Sequence, residues 1–151
     1  MEIKAELLKP YTEEQRIKFV VENNHKLGYV IEETETSLQA LGYTEEEKQA
    51  QEQERITMLS LTSADVERGI YKATGKDFDD VVAFVTQLQP EGLDIKALKI
   101  ELKANNFYRG NPYVDEVGKL LGFSKEQLDR FFETGDYKML VDEVTLWKNK
   151  F

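Results

Sequence analysis

Cysteine is absent from this chain of 151 residues. Its absence excludes disulfide bonds, catalysis by a cysteine thiolate and zinc sites built from thiolates. A chain without cysteine suits a reducing compartment but does not require one. The length of the chain and its 40% content of hydrophobic residues predict one domain or two small ones, with enough apolar surface for a core.

Histidine is almost as scarce, since His25 is the single occurrence. His25 lies in a segment typical of a helix end, where a solvated or capping role is common, and no Ser-His or Cys-His pair can be built around it. The chain also lacks a Walker loop and a dinucleotide-binding fingerprint. Asp77, Asp79 and Asp80 cluster without the glycine turn of a calcium loop, and they fit the start of a helix. We therefore predict a protein that is not an enzyme, with no catalytic residue, no metal and no cofactor.

Long apolar runs and excess positive charge are missing too. No segment is apolar enough to predict a transmembrane helix, and the first ten residues lack the apolar core of a signal peptide. Lysine and arginine number 20 against 29 acidic residues, which gives a net charge of −9. A field of this sign repels a phosphate backbone, so nucleic-acid binding would need a local basic patch. The default expectation is a soluble intracellular protein with neither a membrane nor a nucleic-acid partner.

The first third of the chain carries two signals for helix starts. The sequence Thr12–Gln15 reads as a capping box, and Thr44 and Glu47 form a second one. Between these boxes, residues 29–41 alternate apolar and polar side chains, which favours two short strands in a hairpin, with a helix as the alternative. The helix after Thr44 is polar on all sides until Ile56, which is typical of a connector between two packed units.

The stretch Asp94–Tyr113 is the centre of the remaining sequence. Projected as a helix, its first half is apolar on two opposite sides, which predicts a helix packed between other elements. The two apolar sides consist of Ile95, Leu98 and Leu102, and of Ala97, Ile100 and Ala104. Cap residues before further helices are Thr62, Asp77, Asp94, Asn111 and Ser124.

These patterns predict a mainly α fold in three parts. Residues 1–43 form a small N-terminal α+β unit with one helix and the β-hairpin. Residues 44–60 form the polar connecting helix. Residues 61–151 form a helical domain that contains a bundle of about five helices.

The pair of helices predicted at 114–134 has the order of a helix-turn-helix motif: a helix, a glycine turn, a serine cap and a second helix. The second helix begins near Lys125, where a recognition helix would begin. From Asp94 to Lys138 basic and acidic residues are equal in number, so no basic stripe supports DNA binding. A DNA-binding regulator is therefore the alternative function.

The segment Phe107–Tyr113 is the best candidate for a binding surface, because tyrosine and arginine are enriched at interface hot spots. In the structural alternative, Phe107 and Tyr113 anchor a turn while Arg109 pairs with a nearby carboxylate or a helix end. The tail after residue 136 places apolar side chains on one helical side, which predicts either a last helix docked on the core or a partner-binding helix. The candidate partner-binding residues are Tyr108, Arg109, Asn111, Tyr113 and Trp147.

Three stretches of the chain resemble a group of small proteins encoded in prophages of Gram-positive bacteria. They are KPYTEEQRIKFVVEN, TEEEKQAQEQERITMLSLT and ANNFYRGNPYVDEVGKLLGFSKEQLDRFFETGDY. The resemblance extends to about Leu140 and does not include residues 141–151. It implies a gene near phage tail genes and favours the hairpin at 29–41, but it carries no catalytic residue.

The resemblance leads to a functional expectation. We expect a non-enzymatic phage accessory protein, tail-associated or active in assembly, that works through protein–protein contacts. Its partner would be a phage structural or assembly component, and the sequence leaves self-association open. Its location would be the cytoplasm of the bacterial host or the virion.

Overall fold

The computed structural model describes residues 1–141. The chain divides into two compact units, Met1–Glu52 and a second that begins at Gln53. The first unit contains a three-stranded sheet and the second a two-stranded sheet. Among residues 1–141, no helix combines the length and the apolar character that crossing a bilayer requires.

The first unit is an antiparallel sheet with one helical segment. Its elements are β1 (Glu2–Leu8), α1 (Glu13–Val20) with a following π-helical turn (Val21–His25), β2 (Val30–Glu33) and β3 (Ser37–Gly42). Strand β3 lies in the middle of the sheet and pairs with both β1 and β2. The hairpin predicted for residues 29–41 is therefore confirmed. Its turn is shaped by Thr34, whose hydroxyl accepts a hydrogen bond from the Ser37 amide at 3.0 Å.

A polar helix, α2, leads from the first unit into the second, since the boundary after Glu52 falls within it. The elements from there onward are α2 (Glu45–Thr57), β4 (Ser60–Thr62), α3 (Ser63–Thr74), α4 (Phe78–Leu88), α5 (Ile95–Glu101), β5 (Asn106–Tyr108), α6 (Pro112–Leu120), α7 (Lys125–Thr134) and a 3₁₀ turn (Tyr137–Leu140). No residue of α2 is buried. A helix with no buried face derives little stability from tertiary packing, so its capping box is important for its formation.

The predicted helix starts are confirmed by their hydrogen bonds. Each cap side chain accepts from a backbone amide in the first turn of the helix that follows, which satisfies a donor that otherwise has no partner within the helix. The confirmed caps are Thr12, Thr44, Thr62, Asp77, Asp94, Asn111 and Ser124. Local side-chain chemistry therefore fixes where seven helical segments begin.

The predicted fold class, mainly α, is wrong. Over residues 1–141 the chain is 56% helical, with the π-helical and 3₁₀ turns counted beside the seven α-helices, and 16% strand in five strands, which is an α+β arrangement. Two features account for the difference. The sequence leaves residues 1–9 open between a short strand and an ordered arm, and residues 2–8 form a full third strand beside the hairpin. The second unit contains the antiparallel pair β4–β5, which the sequence does not predict. The pair brings together segments more than 40 positions apart in sequence, so no short-range pattern announces it.

The predicted packing of α5 on two sides is also wrong. Leu98 is fully buried, but Ile100 on the opposite side is 70% exposed. The helix ends at Glu101, so only one side of it covers the core. That core has two clusters of buried side chains in the second unit. One consists of Val66, Phe107, Leu128, Phe131, Phe132 and Leu140, and the other of Val81, Val85, Leu98 and Val117.

Candidate functional site

Strand β5 separates the predicted binding segment into an inner and an outer set of side chains. Successive side chains of a strand point to opposite faces, and here Phe107 and Arg109 are buried while Tyr108 is 54% exposed. Phe107 packs edge-on against Phe78, with ring centroids 6.0 Å apart. The strand pairs with β4 through Tyr108 opposite Ser60. The buried side chains of the segment therefore anchor it to the core, and the ring of Tyr108 faces solvent.

Arg109 is 4% exposed and forms the centre of an ion-pair cluster. Its Nε lies 2.7 Å from Asp129 Oδ1, and its Nη1 lies 2.9 Å from Asp115 Oδ1. Lys125 Nζ approaches the second oxygen of Asp129 at 2.9 Å. We call these four residues the Arg109 cluster. It joins β5 to α6 and α7, so the structural interpretation, in which Arg109 pairs with a carboxylate, is confirmed.

Asn111 and Tyr113 also take part in the internal structure of the fold. The Asn111 side chain caps α6 by accepting from the Tyr113 amide at 3.0 Å, and its Nδ2 donates to Glu101 Oε1 at 2.6 Å. Tyr113 is half-buried against the second core cluster. The fifth candidate, Trp147, lies outside the described residues. Of the four that are described, Tyr108 is the one whose side chain is mainly exposed.

The end of the β4–β5 ribbon adds an exposed residue that the sequence did not single out. The Arg109 amide donates to the Leu59 carbonyl at 2.8 Å and the Gly110 amide to the Thr57 carbonyl at 3.1 Å. These bonds place Met58, which is exposed, beside Gly110. A Cβ at Gly110 would lie 3.1 Å from the Thr57 carbonyl oxygen, so glycine permits this close approach. We call Met58, Tyr108 and Gly110 the Tyr108 patch.

The helix pair predicted at 114–134 is present as α6 and α7, joined by a short turn. The two helices approach closely at Gly118, where a Cβ would lie 2.7 Å from Leu128 Cδ1. The side of α7 away from the core presents Lys125, Glu126, Arg130 and Glu133 to solvent, two bases and two acids. Lys125 is also engaged by Asp129. The charges of this face therefore do not favour a polyanion.

The second unit contains a cavity of about 60 Å³ lined mainly by apolar side chains, Phe107 and Tyr113 among them. Ligand pockets have typical volumes of roughly 300–1,000 Å³, so this cavity is a packing void rather than a site for a metabolite. Over residues 1–141, no group of three or more His, Asp or Glu side chains is arranged to hold a metal ion.

On the surface of the first unit, a hydrogen bond between Tyr11 and Glu33 lowers the pKa of the Glu33 carboxyl. The Tyr11 hydroxyl donates to Glu33 Oε1 at 2.8 Å, and Lys9 Nζ lies 3.2 Å from the same oxygen. The hydrogen bond from Tyr11, followed by the one from Lys9, lowers the pKa of Glu33 below its ordinary value of 4.5. Tyr11 lies before α1 and Glu33 ends β2, so the pair joins two parts of the unit.

This pair predicts an acid-sensitive contribution to stability. Because the pKa of Glu33 is lower in the folded than in the unfolded chain, the contribution is present above pH 4.5 and is lost as the pH falls through the folded pKa. We expect Tyr11→Phe to raise the pKa of Glu33, measured by NMR titration of its side-chain carboxyl carbon. Tyr43→Phe is the control. An unchanged Glu33 titration in Tyr11→Phe would exclude the hydrogen bond as the cause.

The chemistry available at the Tyr108 patch is that of binding. An aromatic ring and a thioether offer apolar contact, and the phenol adds one polar group at the rim. Tyr108 lies on β5, which the Arg109 cluster and Phe107 hold in place, and Met58 lies in the turn just before β4. Comparisons of the chain with protein-family models, with curated proteins and with solved structures return no match.

Proposed function

We propose that this protein is a non-enzymatic phage accessory protein that binds a tail or assembly component through the Tyr108 patch. The observation that carries the proposal is Tyr108 itself, 54% exposed between two neighbours, Phe107 and Arg109, that are each 4% exposed. The resemblance of the flanking sequence to prophage proteins supports the choice of partner. Protein–protein contact is thus the means by which the chain acts.

The rigidity of the patch strengthens this interpretation. Association costs free energy when loops and side chains must be ordered on binding. Here the backbone on both sides of Tyr108 is already hydrogen-bonded, to β4 on one side and to Leu59, just before β4, on the other, so little ordering remains. Exposed tyrosines on a fixed backbone are frequent among residues that dominate binding energy.

The test compares two tyrosines of the same chain. We expect Tyr108→Ala to weaken binding of the tail component by about 2 kcal/mol, or roughly thirtyfold in Kd. Tyr71→Ala is the matched control, because Tyr71 is 58% exposed but lies on α3, away from the patch. Binding is measured by pull-down from infected cells, with mass spectrometry of purified virions to identify the component.

Two outcomes would contradict the proposal. Equal recovery of the component by Tyr108→Ala and Tyr71→Ala would show that the patch is not the contact. Recovery of duplex DNA in place of a protein, with binding weakened by Lys125→Glu and Arg130→Glu, would favour the alternative regulator that uses α6 and α7. Circular dichroism of each variant verifies that its fold is retained.

A further inference from the structure

The outer face of the N-terminal sheet carries an apolar row that crosses all three strands. Ile3 on β1 and Val30 on β2 both lie opposite Leu41 of β3. Residues opposite one another in a sheet point to the same face. Leu38 and Ala40, the buried apolar side chains of β3, point to the other face. Ile3 is 52% and Val30 48% exposed, so this row faces solvent.

A row of acidic and amide side chains lies directly beside the apolar row. Glu6, Gln39 and Glu32 are opposite one another in the same register. Residues two positions along a strand are about 7 Å apart and neighbouring strands about 5 Å apart, so Glu6 and Glu32 lie roughly 10 Å from each other. Neither carboxylate forms an ion pair within residues 1–141. Both are free to pair with an incoming cation.

The charge of the whole first unit has the same sign. Residues 1–52 contain 12 acidic and six basic residues, a net charge of −6. The same unit holds seven of the 12 large hydrophobic side chains that are exposed in residues 1–141. Apolar side chains grouped on a surface mark interaction sites, and a field of one sign selects a partner of the opposite sign. A second copy of this chain would bring two acidic rows together, which disfavours self-association at this face.

We propose that the outer face of this sheet binds a basic, amphipathic protein segment. The aliphatic side chains of that segment cover Ile3, Leu41 and Val30, and its lysine or arginine side chains pair with Glu6 and Glu32. This surface belongs to the first unit, whereas the Tyr108 patch belongs to the second. The proposal therefore does not depend on the function assigned to Tyr108.

The test uses the full chain and a fluorescein-labelled short peptide that alternates leucine with lysine, with binding followed by fluorescence anisotropy. We expect the double variant Glu6→Lys/Glu32→Lys to weaken binding about tenfold, because two attractive pairs become repulsive. The control Glu14→Lys/Glu22→Lys changes the net charge equally on the helical segment and should alter binding less than about threefold. A peptide with glutamate in place of lysine should not bind.

A second pair of substitutions tests the apolar row. Ile3→Thr/Val30→Thr keeps β-branched side chains, which suit strands. It replaces an ethyl group at residue 3 and a methyl group at residue 30 by a hydroxyl, and we expect it to weaken peptide binding about fivefold. Tyr108→Ala should bind the peptide as the unsubstituted chain does. Equal binding by both sheet variants and the control would overturn the proposal, as would the absence of any peptide binding. A dimer in sedimentation that Ile3→Thr/Val30→Thr dissociates would also overturn it, since the occupant would then be a second copy.

Discussion

Replacing Arg109 by alanine should lower the free energy of unfolding by about 3 kcal/mol, the scale observed when one partner of a buried ion pair is removed. The guanidinium is the shared partner of Asp129 and Asp115. Without it, the Asp129 carboxylate, whose side chain is 16% exposed, retains only Lys125 as a counter-charge. Urea denaturation followed by circular dichroism measures the loss.

Two further variants show whether geometry or charge is responsible. Arg130→Ala removes an exposed arginine from the same region and should change the free energy of unfolding by less than about 0.5 kcal/mol. Arg109→Lys keeps the charge but loses the planar fork that reaches two carboxylates at once, so it should recover less than half of the loss. A stability of Arg109→Ala within about 1 kcal/mol of the unsubstituted chain would show that the cluster is not a structural joint.

The destabilisation expected at Arg109 also changes how binding data should be interpreted. A partner that fails to bind Arg109→Ala provides no information on the surface, because the variant loosens β5, α6 and α7 together. Tyr108 is the adjacent residue and points the opposite way, so its substitution tests the surface alone. The residue types alone make both Tyr108 and Arg109 candidates for binding. The alternation of side chains along the strand assigns Arg109 a structural role and leaves Tyr108 for binding.

The features that the sequence predicts well are those set by neighbours along the chain. A threonine, serine or aspartate before an apolar periodic run needs only the next three amides to act as a cap, and Thr12, Asp77 and Ser124 do so with full capping boxes. The hairpin at residues 29–41 depends on local alternation as well, although its pattern also admits a helix.

The features that the sequence does not predict depend on distant partners. Strand β5 exists because Asn106–Tyr108 meets Ser60–Thr62, and three residues are too few for a period to be recognised. Ile100 has the helical spacing of a buried residue, yet no element covers it. The apolar row of the N-terminal sheet was equally hidden, because Ile3, Val30 and Leu41 become neighbours only when the three strands pair.

Gly69 also depends on a residue distant in sequence, because it packs against Phe131. We expect Gly69→Ala to lower the free energy of unfolding by about 3 kcal/mol, at the upper end of the range for an overpacked core. In most helix interiors this change is stabilising by up to about 1 kcal/mol. Here a Cβ would lie 2.4 Å from Phe131 Cζ, and the Phe131 ring is 1% exposed and packed edge-on against Phe132. To relieve this clash, the ring, which also lines the apolar cavity of the second unit, has to leave its packed position against Phe132.

A double-mutant cycle can assign the effect of Gly69→Ala to that ring. Phe131→Leu alone should destabilise, because it leaves a void in the core. In the double variant the new methyl group fills the void that Phe131→Leu leaves. The losses in free energy of unfolding measured for the two single variants should therefore sum to at least about 1 kcal/mol more than the loss measured for the double variant.

Gly118→Ala is the comparison for Gly69→Ala. The Cβ added at Gly118 would lie 2.7 Å from the end of the Leu128 side chain, which can rotate away, so this substitution should lower the free energy of unfolding by about 1 kcal/mol. If the losses in free energy of unfolding for Gly69→Ala and Phe131→Leu are strictly additive, α3 and α7 accommodate the methyl group by moving apart. The close approach of these helices at Gly69 would then not stabilise the second unit.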